Sequence, residues 1–156
     1  MYLDRVNGPD DTAALGADLL AVVARINRLA SQRIELPLPV AQARLLALIE
    51  DRGRTRISDL AAVDHCSQPT MTTQVRRLQD AGLVSRTEDP GDARAVLIAI
   101  TDAGRRTLAR VRADRGAAIS PYLEHLDDAE RSALVDAIRV LRGLLDDAQS
   151  VQHDQH

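Results

Sequence analysis

The 156 residues include 24 Ala, 21 Leu and 20 Arg but no Lys, Phe or Trp; these side chains lose little entropy in a helix, so a mainly helical fold is expected. A formal charge of -3 with 45% hydrophobic residues excludes a disordered polyelectrolyte. Two tyrosines as the only aromatics argue against a surface built on stacked bases, and the single Cys66 excludes an internal disulfide framework or a Cys-based metal site. No run approaches the roughly 20 apolar residues of a membrane span. The first twenty residues carry Asp4, Asp10, Asp11 and Asp18, unlike a secretory leader, so a reducing, cytoplasmic home without a membrane partner is expected. Charge is uneven: residues 94–119 hold six Arg against two Asp, and residues 120–156 hold eight acids against three Arg.

Residues 12–35 place Leu15, Leu19, Val22, Val23, Ile26 and Leu29 three and four apart, which predicts a long amphipathic helix ended by the prolines at 37 and 39. A second helix is expected over 40–50, stopped by Gly53. Ser58 is the expected N-cap of a short third helix, with Asp59 in its first turn. After a brief break, Ser67 caps a fourth helix with Pro69 in its first turn, running to about residue 81 before Gly82.

Beyond Gly82 the period falls from 3.6 to about 2. Residues 83–87 and 95–100 read as two strands around an extended, charged turn at 88–94, hence a hairpin. Thr101 and Asp102 then cap a fifth helix carrying Leu108, Val111, Ile119 and Tyr122, with Gly116 a candidate bend. A sixth opens on the capping box from Asp127 to Glu130 and shows Leu134, Ile138, Leu141 and Leu145 on one stripe. Residues 149–156 are expected to fray. No repeat or long linker divides the chain, so one domain over 1–156 is expected.

At 100° per residue the fourth helix gathers Met71, Val75 and Leu78 on one face and Pro69, Thr70, Thr73, Arg76 and Arg77 on the other. Threonine hydroxyls and methyls with two guanidinium groups suit a major groove; the same face also reads as an ordinary solvated surface. In the hairpin, Arg94 stands where an extended turn would hold it away from the body, with Asp92 two residues before it. A protruding arginine suits a narrow minor groove, while Asp, Pro and Gly also make any plain turn. No nucleophile-base pair, phosphate loop or metal motif is present, so neither an enzyme nor a cofactor is expected. The spacings of His65, His125, His153 and His156 match no ligand set on one element.

The runs Ile57-Ser58-Asp59-Leu60-Ala61, Cys66-Ser67-Gln68-Pro69-Thr70-Met71-Thr72, Val75-Arg76-Arg77-Leu78, Ala81-Gly82-Leu83-Val84 and Asp89-Pro90-Gly91-Asp92-Ala93-Arg94, leading to Ile100-Thr101-Asp102-Ala103-Gly104, resemble the winged helix-turn-helix of the MarR family. The likeness extends over residues 12–148. It implies a mainly α fold with a small β-hairpin wing: a winged core at 40–100, flanked by dimerisation helices at 12–35 and 101–148. It also implies a homodimeric transcription regulator, usually a repressor, on a pseudo-palindromic duplex operator, often released by a small phenolic or lipophilic effector or by oxidation.

Carried over by position, the resemblance makes Ser67, Gln68, Pro69, Thr70, Thr72, Thr73, Arg76 and Arg77 the DNA-facing residues of the recognition helix, and Asp92 and Arg94 those of the wing. This chain departs from the pattern at His65, where many relatives have Gly, and at Ala93, where a basic residue is common. Leu15, Leu19, Val22, Leu134, Ile138, Leu141 and Leu145 are expected to form the dimer interface. Arg25, Arg28 and Arg112 are candidate charges near an effector cleft, with surface or salt-bridge roles as the alternative. Cys66 is expected to be a buried structural thiol, a redox role being the other reading. A helical dimeric adaptor using the winged helix for protein contact is the alternative function.

Overall fold

The computed structural model describes the backbone of residues 9–32, 37–89 and 91–153, and side chains over 10–31, 37–89, 91 and 96–148. The elements in order are α1 (Pro9–Gln32), α2 (Val40–Arg52), β1 (Thr55–Arg56), α3 (Ile57–Val63), α4 (Gln68–Asp80), β2 (Val84–Asp89), β3 (Asp92–Ile100), α5 (Asp102–Leu123) and α6 (Asp128–His153). The chain divides into two compact units, Met1–Ala118 and Ile119–His156, the division falling within α5.

In the first unit the apolar faces of α2, α3 and α4 meet the sheet in one core. Leu46, Ile49, Leu60, Met71, Val75, Leu78 and Ile98 are its most deeply buried large side chains. Gly53, at φ 67°, ends α2 and turns the chain into β1. The sheet is antiparallel in the order β1-β3-β2, with Thr55 opposite Ile98 and Val84 opposite Ile100.

Strand β1 has no counterpart in the sequence reading, and it moves the start of α3. Pairing with β3 holds residues 55 and 56 extended, so the helix begins at Ile57 with Arg56 in the N-cap position. Ser58, the expected cap, lies instead inside the first turn, its hydroxyl donating to Asp59 Oδ1 at 3.2 Å. Ser67 does cap α4, its Oγ accepting from Thr70 N at 3.3 Å.

At the other end of α4, Gly82 takes φ 71°, and Leu83 N donates to Leu78 O at 2.9 Å, so a left-handed glycine closes the helix. In the hairpin the regular ladder runs from Val84 opposite Ile100 to Glu88 opposite Val96, and the register then jumps, at an irregularity between Glu88 and Asp89, to Asp89 opposite Asp92. The backbones of Asp92 and Arg94 therefore belong to β3 rather than to an extended turn. The tight closure has a local cause, since Asp89 Oδ1 accepts from Gly91 N at 2.9 Å.

Thr101 joins the hairpin to α5. Its hydroxyl accepts from Gly104 N at 3.0 Å and donates to Gly82 O at 2.8 Å. Gly104 is required by packing: a Cβ there would lie 2.2 Å from Leu83 O and 2.7 Å from Ile100 Cγ1. Helix α5 is unbroken at Gly116, as one glycine costs only about 1 kcal/mol.

In the second unit the reciprocal cap of α6 forms as expected. Glu130 N donates to Asp127 Oδ1 at 2.8 Å, and Asp127 N donates to Glu130 Oε2 at 3.0 Å. The helix continues to His153, into the stretch 149–156 expected to fray; residues 154–156 lie outside the described residues. Among the described residues no helix is long and apolar enough to cross a membrane.

Candidate nucleic-acid interface

Helix α4 is divided as its periodicity requires. Met71, Val75 and Leu78 are at most 1% exposed, while Ser67, Gln68, Pro69, Thr70, Thr72, Thr73, Arg76 and Arg77 are all exposed. Burial of one face fixes the rotation of the helix, so the opposite face is held outward by the core and not by its own contacts.

The hydroxyls on that face are already engaged. Thr72 Oγ1 donates to Gln68 O at 2.8 Å and Thr73 Oγ1 donates to Pro69 O at 3.0 Å. Each proton is thus spent on the carbonyl one turn back, which leaves the oxygen as an acceptor. The Ser67 and Thr70 hydroxyls lie 2.8 Å apart.

The break before α4 is closed by backbone bonds: Asp64 N donates to Leu60 O at 3.0 Å and Cys66 N to Ala61 O at 3.0 Å. His65 sits between them at φ 51°, the left-handed region that glycine enters most readily and histidine tolerates better than most side chains. Asp64 pairs with Arg44 of α2, which ties the break to the neighbouring helix. Cys66 is half-buried against the core, less enclosed than expected, because it lies on the exposed approach to Ser67.

In the wing, Arg86, Thr87 and Glu88 are exposed on β2. The side chains of Asp92, Ala93 and Arg94 lie outside the described residues, as do those of His153 and His156. Sequence reasoning missed Arg56, whose Nε and Nη2 both donate to Asp89 Oδ2, at 3.1 and 2.5 Å. No local pattern signals this pair, because its members belong to different elements. The Gly91 amide and then the Arg56 guanidinium hold the Asp89 carboxyl below its ordinary value.

A cavity of about 650 Å³ lies in the first unit among α1, α2 and α5. Ala43, Leu108 and Val111 are among its apolar lining residues, and Arg28, Arg44, Arg112 and Arg115 also line it. Arg112 bonds Glu50 at 2.8 Å and Arg115 bonds Asn27 Oδ1 at 2.7 Å. Of the three arginines singled out from sequence, Arg28 and Arg112 reach this cavity, while Arg25 is exposed and does not line it.

The stripes on α1 and α6 are left open in the single chain. Leu15, Val22 and Leu145 are each more than half exposed, Leu134 and Ile138 are exposed to a smaller degree, and Leu19 and Leu141 are half-buried.

Residues 38–96 match the family model described as MarR family. The HTH-type transcriptional regulator Mb0904 of Mycobacterium bovis is 28% identical over 140 residues, covering 89% of this chain and 98% of that protein. The HTH-type transcriptional repressor MdtR of Bacillus subtilis is 29% identical over 90 residues, 58% of each chain. A solved MarR family protein from Bacillus stearothermophilus shares the fold with a TM-score of 0.67 at 21% identity, over 90% of this chain and 99% of that one.

Proposed function

We propose, from the match of residues 38–96 to the MarR family model and the likeness to HTH-type transcriptional regulators, that this chain is a sequence-specific, duplex DNA-binding regulator that works as a cytoplasmic homodimer and represses transcription. The observation that carries this reading is the division of α4, whose apolar face is consumed by the core while its hydroxyls and guanidinium groups stay outside. In a major groove, Ser67, Gln68, Pro69, Thr70, Thr72 and Thr73 meet base edges and the flanking backbone, and Arg76 and Arg77 bind phosphate or guanine. Asp92 and Arg94 serve the wing, Arg94 in the adjacent minor groove with Asp92 orienting it. The similarity to a repressor, MdtR, supports repression as the outcome.

The open apolar stripes support dimerisation, with Leu15, Leu19 and Val22 of α1 and Leu134, Ile138, Leu141 and Leu145 of α6 as the side chains a second copy would cover; of these Leu15, Val22, Leu134, Ile138 and Leu145 are exposed. Two-fold symmetry sets the recognition helices about 34 Å apart, so the operator is an inverted repeat with half-sites about ten base pairs apart. Selection of bound fragments from random duplex DNA is expected to return such a repeat. Fragments without a consensus, retained no better than random duplex, would favour the adaptor reading in which the winged helix meets protein.

The cavity supports a small effector that joins a lipophilic body to a negative charge, matched by the apolar lining residues and the arginines. Such a ligand releases DNA only by preferring the arrangement of the unbound protein. Arg44 offers a route, because it both lines the cavity and pairs with Asp64 at the break before α4. Cys66 is structural in this reading, and peroxide is expected to act equally on operator binding by the parent chain and Cys66→Ser. Protection confined to the serine variant would make oxidation the signal.

A further inference from the structure

We propose that Arg56 is a wing-positioning residue: through Asp89 it sets the hairpin tip relative to the helix-turn-helix, so that operator affinity depends on an ion pair that does not itself read DNA. The inference rests on the DNA-binding reading and goes beyond it. Arg56 ends β1 and occupies the N-cap position of α3, the first helix of the helix-turn-helix. In the strand order β1-β3-β2, its side chain spans β3 to reach the far end of β2. There both Nε and Nη2 grip a single oxygen of Asp89, at 3.1 and 2.5 Å. The other oxygen holds Gly91 N at 2.9 Å, so one carboxylate ties the turn of the hairpin to the start of α3.

The hairpin has reason to need this brace. Its fully buried residues, Val84, Ile98 and Ile100, lie toward the base; farther out Val96 is only partly buried against the core, and Arg86, Thr87 and Glu88 are exposed. A two-stranded ribbon is marginally stable by itself. Among the described ion pairs, Arg56 with Asp89 is the one that joins the hairpin to another element. The Asp89 side chain is 14% exposed against 44% for Arg56, so the acid is shielded while the base remains at the surface.

The test uses the full chain, the duplex recovered by selection, and the variants Asp89→Asn and Arg56→Ala. Asp89→Asn separates the explanations by sign. Removing an acid beside phosphates strengthens or leaves unchanged the binding of a protein whose ion pair is only a surface contact. Positioning predicts the opposite, a loss of about tenfold, as for one misplaced charged contact. Hydroxyl-radical protection at the outer minor groove should weaken while protection under α4 persists, with Tm unchanged. Without DNA, amide hydrogen exchange at residues 88–96 should quicken in Asp89→Asn and Arg56→Ala relative to the parent chain. Unchanged exchange, or equal or tighter binding by Asp89→Asn, overturns the brace. Failure of the parent chain to bind any duplex overturns instead the DNA-binding reading, and the affinity claim with it.

Discussion

Threonine at 72 and 73 brings two features to an exposed helix face, a methyl and a hydroxyl, and their surroundings make them unequal. Both hydroxyl protons go to carbonyls within α4, to Gln68 O and Pro69 O. In the proposed major-groove complex these residues therefore offer methyl contact or a lone pair, and they do not donate unless a bond within the helix is broken. Thr73→Val is expected to keep most operator affinity, whereas Thr73→Ser loses the methyl and about fourfold in binding, the worth of one buried carbon at ~0.8 kcal/mol. Gel shifts on the selected duplex check this; a valine variant weaker than the serine one would make the hydroxyl the reading group. The outward direction of these residues was legible in the 3.6-residue period. The engagement of their protons was not, because a period assigns a face and not a rotamer. His65 shows the same division: its place in the break was visible, but its left-handed backbone follows from the bonds that close α3.

The elements were legible in proportion to how local their causes are. The caps at Ser67 and Asp127 and the stop at Gly82 depend on groups a few residues apart, and all are present. Strand β1 depends on β3, far along the chain, so two residues with no strand pattern of their own became a strand and displaced the expected cap at Ser58. The hairpin end shifted for a related reason: the bond from Gly91 N to Asp89 closes the turn, and Asp89 pairs with Asp92 beyond the register jump. Gly104 is the position where one element constrains another most closely. Gly104→Ala puts a methyl against Leu83 O and Ile100, and overpacking of this kind is expected to lower stability by about 1–3 kcal/mol. Urea unfolding followed by circular dichroism measures it; an unchanged midpoint would mean that α5 moves away from Leu83 without penalty.

For the whole molecule, the open apolar faces of α1 and α6 carry the expectation of a second copy. Ile138→Asp places a charge on the α6 stripe at a side chain 42% exposed in the single chain, so the isolated fold should tolerate it. If that stripe pairs in a dimer, the variant sediments as a monomer and loses operator binding together with two-fold symmetry. A variant that keeps both parent mass and affinity would move the interface elsewhere. Periodicity, caps and turn residues act over a few neighbours. Those alone decided the helical character, the order of helix, break, helix and hairpin, and the outward polar face of α4. Tertiary structure decided what depends on residues distant in the chain: the pairing of β1, the grip of Arg56 on Asp89, the arginines gathered at one cavity and the glycine required at 104. Such contacts form only when elements pack, and no spacing within a single element encodes which partner a side chain will meet.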